Sequence, residues 1–425
     1  MLKPLQMLMA TLVLAGLALA NPLLEEEFWK TATPADVEQA IQQGAKVDAR
    51  DKDDQTPLHL AAAFSQSPEV LSVLVAAIKE SAFFFRVDTT DRTGRTPLHL
   101  AAANNPNPKV LEALLELGAN LEATDKDGWT PLHFAAAFNP NPEVAVALVR
   151  KGLAVDIRDY KRATPLHRAA RYNANPEVPT ALVKLGAKLD ARDKDGWTPL
   201  HRAALNPNPQ VPTALVKLGA RLGDRNQQGV TPLHLAALNQ NVQVLTTLVK
   251  LGADLKAKDD DGATVLHYAA FANPNPEMIS TLVGLGMQVD ARDRTGDTPL
   301  HYAAQNNENP QVITALLKQK ADPKAKNSEG QTPLHLAAAN NPNPEVITIL
   351  VKAGAQVNAR DKNGRTPLHW AAAKSQKSEV VLKLLELGAD PKAKTNIGRT
   401  PWDLIQFNPA LRDSPAYWKL NQLRY

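Results

Sequence analysis

Thr96-Pro97-Leu98-His99-Leu100-Ala101 decides the fold of this chain, because its first four residues return at a nearly fixed interval. Thr56, Thr96, Thr130, Thr164, Thr198, Thr231, Thr298, Thr332 and Thr366 each open an intact Thr-Pro-Leu-His. Thr264 opens Thr-Val-Leu-His, and Thr400 opens the degenerate Thr-Pro-Trp-Asp. Successive starts lie 40, 34, 34, 34, 33, 33, 34, 34, 34 and 34 residues apart. A period of that size marks a supersecondary unit that cannot bury its apolar face alone and stacks on copies of itself. The 425 residues therefore read as one continuous array rather than as two or three globular domains.

The residues of one interval write its local structure. Thr96 caps a helix that Pro97 begins, where the missing N–H is harmless, and Leu98, Ala101 and Ala102 keep that helix thin enough to stack. Asn105-Pro106 stops it, because the residue before a proline is pushed out of the α region. Asn107 and Pro108 start a second helix with an apolar stripe of Val110, Leu111, Leu114, Leu115 and Leu117, and Gly118 ends it in the left-handed conformation. Asp125, Asp127 and Gly128 then turn the chain into Thr130. Of the 21 glycines, nine take the place of Gly118 and nine that of Gly128, where φ must be positive. Arg162 and Lys320 stand where such a glycine is expected, so those two joints should be strained or reshaped.

The ends read differently. Lys3, the apolar run Leu8 to Leu17 and Ala18-Leu19-Ala20 have the order of a secretory signal peptide cleaved after Ala20, and the run is shorter than the ~20 residues that span a bilayer. The expectation is a secreted or periplasmic protein with no stable membrane insertion once the leader is removed. The absence of cysteine is compatible with that location. The predicted divisions are a signal peptide at 1–20, an N-terminal capping repeat at 21–55, the repeat array at 56–399 and a C-terminal capping unit at 400–425. In the first cap, Leu23, Leu24, Phe28 and Trp29 are expected on one helix, and Thr33-Pro34 opens a second that Gly44 ends. Phe83-Phe84-Phe85, in the 40-residue interval, read as an extended second helix covering the end of the stack, or as an exposed docking patch. At the far end Ser414-Pro415 caps a last helix whose Tyr417 and Trp418 are expected in the core.

Little in the chain carries chemistry. The formal charge of +4 becomes 4 − 1 = +3 without Lys3 and is spread over mixed-sign loops, which gives no nucleic-acid footprint. All ten histidines belong to the repeated tetrapeptide. Equivalent positions on stacked helices stand about 8–10 Å apart, too far to share an ion whose ligands sit about 2 Å away. Asp-rich turns such as Asp259-Asp260-Asp261-Gly262 lack the alternating ligands and closing Glu of a calcium loop. With no cysteine nucleophile, Ser-His-Asp order or phosphate-cradling glycine loop, the sequence reads as non-enzymatic, with neither cofactor nor metal.

The pattern Thr96-Pro97-Leu98-His99-Leu100-Ala101 resembles the ankyrin repeat family, and the resemblance runs from Phe28 to Leu404. It implies a mainly α fold, an ankyrin-type solenoid of stacked helix-turn-helix units joined by β-hairpin loops, in which each histidine bonds near its own Thr hydroxyl and between units. Asn-Pro-Asn-Pro, at Asn105, Asn139, Asn206, Asn273 and Asn341, replaces the Gly-His usual in the family and reads as a helix stop followed by a helix start. The resemblance further implies a partner protein in a concave groove made by hairpin tips and first helices, the chain itself being monomeric. Mapped onto this chain, the groove positions give Trp129 and Trp197 at the tips and Phe134, Phe138, Arg168, Arg171, Tyr172 and Arg202 on the helices. Aromatic and arginine side chains interleaved in this way dominate interface hot spots. A competing reading packs Phe134 and Tyr268 between first helices. An alternative function is ligand or envelope-polysaccharide binding, with sugars stacked on Trp129 and Trp197.

Overall fold

A computed structural model describes residues 21–81 and 86–424, so the leader at 1–20 and Phe83-Phe84-Phe85 lie outside the described residues. The described residues form two compact units, one reaching to residue 194 and joined by 217–219, the other of residues 195–216 and those from 220 onward. Each consists of two layers of short helices. In the first unit the helices Pro57–Phe64, Pro97–Asn104, Pro131–Phe138 and Pro165–Tyr172 pack one upon the next, backed by Glu69–Ser81, Pro108–Glu116, Pro142–Arg150 and Glu177–Lys184. The second unit repeats the scheme, for example with Val265–Ala272, Pro299–Asn306, Pro333–Asn340 and Pro367–Lys374 backed by Pro276–Gly284, Pro310–Lys318, Pro344–Lys352 and Ser378–Glu386.

Helix limits follow the punctuation in the sequence. Pro97 is the first residue of its helix, Asn105 leaves it in extended conformation, and Asn107 caps the next by accepting from Lys109 N–H at 3.1 Å. Ala101 and Ala102 are buried, which lets neighbouring first helices approach closely, while Val110, Leu111 and Leu114 carry the core of the second layer. The eighteen glycines assigned to helix ends and turns all have φ between 74° and 116°. Arg162 (φ 58°) and Lys320 (φ 68°) adopt the same left-handed conformation without a glycine, so these joints keep the shape of the others and bear the strain; Asp54 (φ 61°) and Asp413 (φ 59°) do likewise. The two 33-residue intervals have a local cause: the first helices Pro199–Ala204 and Pro232–Ala236 have 6 and 5 residues where most have 8.

Three expectations change. The connections between repeats are tight turns rather than ladders, and among the described residues the only pairing is an isolated bridge between Lys258 and Thr264. The reason is the short polar side chain at each turn, most often aspartate: Asp125 Oδ1 accepts from the N–H of Asp127 (2.9 Å) and of Trp129 (2.8 Å), so a side chain closes the loop. Neighbouring tips then join by a single backbone bond, such as Lys126 N–H to Thr93 O (3.1 Å) and Tyr160 N–H to Asp127 O (3.3 Å). Leu23 and Leu24 belong to a 3₁₀ turn separate from the helix Glu26–Thr31, because Glu25 is extended and the indole N–H of Trp29 donates to Leu23 O at 3.0 Å. Trp418 is half exposed rather than core, while Leu420 and Ala416 fill the space beneath the last helix.

The Asn-Pro-Asn-Pro linker does more than stop and start helices. Buried Asn139 donates from Nδ2 to Ala102 O (3.0 Å) and Asn105 O (2.7 Å) of the preceding repeat, while its Oδ1 accepts from Asn141 N–H (3.0 Å). Asn141 in turn donates to Pro106 O (2.7 Å). Asn105, Asn173, Asn239, Asn273, Asn307, Asn341 and Asn408 repeat the double donation to the repeat before. A ladder of carboxamides thus satisfies carbonyls that most first helices leave at their C-terminal ends.

Candidate partner-binding site

The histidines are structural clips. Thr96 N–H donates to His99 Nδ1 at 3.0 Å, which leaves that nitrogen unprotonated, with the Thr96 hydroxyl 2.9 Å away. The proton is therefore on Nε2, which donates to Trp129 O of the next repeat at 2.9 Å. The same arrangement recurs at His59, His133, His201, His234, His267, His301, His335 and His369, with Nε2 to carbonyl distances of 2.9 to 3.3 Å. Burial pushes His99, His133 and His335 down to about 4, so the ring is held neutral. Both ring nitrogens are committed to the scaffold. The tip residue singled out for its side chain thus also supplies the carbonyl that fixes the previous repeat.

The second carboxylate oxygen of the turn aspartate receives the residue nine positions later. Tyr268 Oη donates to Asp259 (2.8 Å), Tyr302 Oη to Asp293 (2.8 Å), Trp370 Nε1 to Asp361 (2.9 Å) and Arg168 Nε to Asp159 (3.0 Å). Burial, reinforced by the aspartate that each hydroxyl faces, pushes Tyr268 and Tyr302 well above the usual phenol range. Arg168, mapped from the sequence to the groove, is largely taken up by the scaffold. Its side chain is 12% exposed and its guanidinium is paired with fully buried Asp159, so it braces turn against helix. At Asp125 the ninth residue is Phe134, which has nothing to donate; burial then raises the Asp125 carboxyl above its ordinary value.

Six of the proposed site residues come together in the first unit. Phe134 is buried and meets His99 edge-on at 5.3 Å, so it belongs to the packing between first helices. Trp129 is half-buried, with Phe134 edge-on at 5.3 Å, Phe138 stacked at 6.0 Å, Tyr172 at 6.3 Å and the Arg168 guanidinium 4.3 Å from its ring centre. Phe138 (50% exposed) and Tyr172 (47%) stand 6.1 Å apart at the ends of successive first helices, with Arg171 5.4 Å from the Tyr172 ring. Trp197 and Arg202 lie in the second unit and form their own pair, the guanidinium 4.2 Å from the ring centre.

The structure adds Tyr160, which the sequence reading passed over. Its ring lies across the α-carbon of Gly128, where a Cβ would stand 2.6 Å from Cδ1, and the side chain is 70% exposed. With Trp129, Arg168, Tyr172, Asp127 and Lys161 it lines a cleft of about 260 Å³. A signal existed. Equivalent turn positions elsewhere hold Lys52, Arg92, Lys126, Lys194, Gln227, Asp260, Arg294, Ser328, Lys362 and Asn396, all polar, so Tyr160 departs from the chain's own pattern.

A family model for ankyrin repeats in three copies matches residues 32–125, 102–193, 173–259, 251–327 and 305–395, which together span 32–395. Among solved structures 551 chains match. One is the crystal structure of the human ASB11 ankyrin repeat domain, 25% identical, with a TM-score of 0.46, covering 54% of this chain and 99% of that one. No curated protein matches.

Proposed function

The chain belongs to the ankyrin repeat family, and we propose that it is a non-enzymatic scaffold that binds a partner protein outside the cytoplasm. The observation that carries this reading is the exposed ring pair of Phe138 and Tyr172, backed by half-buried Trp129 and held by a turn and two helices whose backbones are fixed by histidine, aspartate and asparagine bonds. Rigid, partly exposed aromatic groups with arginine beside them are the usual anchors of protein interfaces. Equivalent helix ends carry Phe64, Asn104, Ala272, Asn306, Asn340 and Lys374, and exposed Phe271 stands alone next to its helix end, so a pair of exposed rings on successive helix ends is found, among the described residues, at Phe138 and Tyr172. Sugar stacking on the tryptophans fits less well, since Trp129 is crowded by four side chains and Trp197 carries Arg202 over its ring.

A photo-reactive residue placed at Phe138 or Tyr172, and as a control at exposed Lys184 on the second helix layer, tests the reading in the native compartment. Protein adducts are expected from the first two positions alone. Adducts of equal yield from all three positions would overturn it. Export rests on the residues from Lys3 to Ala20, and the measurement is the mass of the mature protein; a chain retaining Met1 inside the cytoplasm sinks that part.

A further inference from the structure

We infer that the cleft between the turns of Asp125 and Asp159 is an anchor pocket for an acidic segment of the partner, with one large apolar side chain of that segment seated between Trp129, Tyr160 and Tyr172. The inference rests on the scaffold reading and adds the chemistry of what binds. Three independent features point the same way. First, the volume of about 260 Å³ falls below the ~300–1,000 Å³ of sites for drug-sized ligands and matches a single bulky side chain. Second, the walls are three aromatic rings, and the one exposed ring among the turn positions, Tyr160, is held flat by Gly128, where any side chain would collide with it. A pre-placed ring loses little freedom when a ligand arrives.

Third, charge selects the partner. The stretch from Tyr160 to Tyr172 carries Lys161, Arg162, Arg168 and Arg171 and no carboxylate, whereas the equivalent stretch of every other repeat has at most three cations or includes an acid. Arg168 is neutralised by Asp159 and already covers the Trp129 ring, so that ring does not offer its face to an incoming cation. Lys161 lines the cleft, in which Asp127 is the one acid of the lining, and Arg171 stands beside Tyr172. Surfaces of this sign raise association rates with acidic partners and repel basic ones.

The test uses the full mature chain and three fluorescein-labelled hexapeptides: acidic with a central phenylalanine, basic with the same phenylalanine, and acidic with glycines in its place. Fluorescence polarisation should detect saturable binding of the first only, weakening as salt rises. Tyr160→Lys installs the residue type found at Lys126 and Lys194 and should weaken that binding at least tenfold, with the thermal melt unchanged. Binding of the basic peptide as tight as the acidic one, binding of the glycine peptide as tight as the phenylalanine one, or indifference to Tyr160→Lys overturns the pocket. So does binding of none of the three, while adducts at Phe138 and Tyr172 would still uphold the scaffold reading in that case.

Discussion

Asn273 is buried with every polar atom engaged: Nδ2 donates to Ala237 O (2.7 Å) and Asn239 O (2.8 Å), and Oδ1 accepts from Asn275 N–H (2.8 Å). Asn273→Ala leaves two buried carbonyls and one N–H without partners and should cost about 2–3 kcal/mol in urea denaturation. Asn273→Asp keeps the shape but points a carboxylate at two carbonyl oxygens, so it should cost more; a smaller loss than for Ala would show that the ladder bonds contribute little. This was half legible. Proline made each linker visible as a helix boundary, but the carboxamide bonds reach a repeat some 34 to 37 residues away, and local spacing cannot reveal such a partner. Arg162 and Lys320, by contrast, were found from the sequence because glycine is so regular elsewhere. Each holds a left-handed φ at a cost of roughly 1 kcal/mol. Arg162→Gly and Lys320→Gly should each raise stability by about 0.5 kcal/mol, part of the relief being offset by the freer unfolded chain. A fall in the urea midpoint at either site would refute the strain. Arg168 escaped for another reason: residue type suggested a free surface, and only the aspartate opposite decides its role; Phe134, for which groove and packed positions were both open, is decided by the His99 ring it meets.

Between elements, a weak joint inside the array is the linker that begins at Ser375. Where most other repeats place asparagine, the Ser375 hydroxyl donates to Lys377 O (3.1 Å) within its own linker, as Ser65 does to Ser67 O in the first repeat, and Lys377 caps the helix Ser378–Glu386 without a side-chain bond. The preceding linker reaches back through Asn341 to Ala304 O (3.0 Å) and Asn307 O (3.0 Å). The helices Pro333–Asn340 and Pro367–Lys374 therefore meet without the carboxamide bonds found at most other joints. Stability in repeat arrays is a sum of unit and interface terms, so a joint short of two hydrogen bonds opens more readily. Hydrogen exchange should show amides of Pro367–Lys374 and Ser378–Glu386 losing protection before those of Pro299–Asn306. Ser375→Asn should restore about 1–2 kcal/mol and slow that exchange five- to thirtyfold; an unchanged rate would mean that apolar contact alone holds the joint. Element boundaries were mostly legible, since proline and glycine bracket nearly every helix. The shortened helices Pro199–Ala204 and Pro232–Ala236 were visible only as a missing residue in the count, without its location, and the break at Glu25 was hidden because the bond from Trp29 to Leu23 is tertiary.

Across the whole chain one clip is written ten times, so its response to acid is multiplied. Burial holds the rings of His99, His133 and His335 neutral, the folded value falling from 6.5 to about 4. Above about pH 6.5 folded and unfolded chains are both neutral at these rings, and the full stability is present. Between 6.5 and 4 the unfolded chain takes up protons that the folded chain refuses, so stability is lost as pH falls, by up to about 1.4 kcal/mol per pH unit for each such ring. His59, His234, His267, His301 and His369 shift in the same direction, burial being the largest cause at each. The terminal clips are built otherwise: the Thr33 hydroxyl and N–H donate to Asp36, and the Thr400 N–H and hydroxyl to Asp403, and these bonds hold both carboxyls below their ordinary 3.8. Their contribution is also lost with acid, but only below the ordinary carboxylate value. The urea midpoint should therefore be flat above about pH 6.5 and fall steeply from there towards pH 4, before any carboxylate of the end clips is protonated. His99→Gln, which can still accept from Thr96 N–H but does not titrate, should lower the plateau and make the fall less steep. A midpoint unchanged between about pH 7 and pH 5 would mean that the rings are protonated in the folded chain as readily as in the unfolded one, and the account of the clip as a neutral donor to the next repeat would fail.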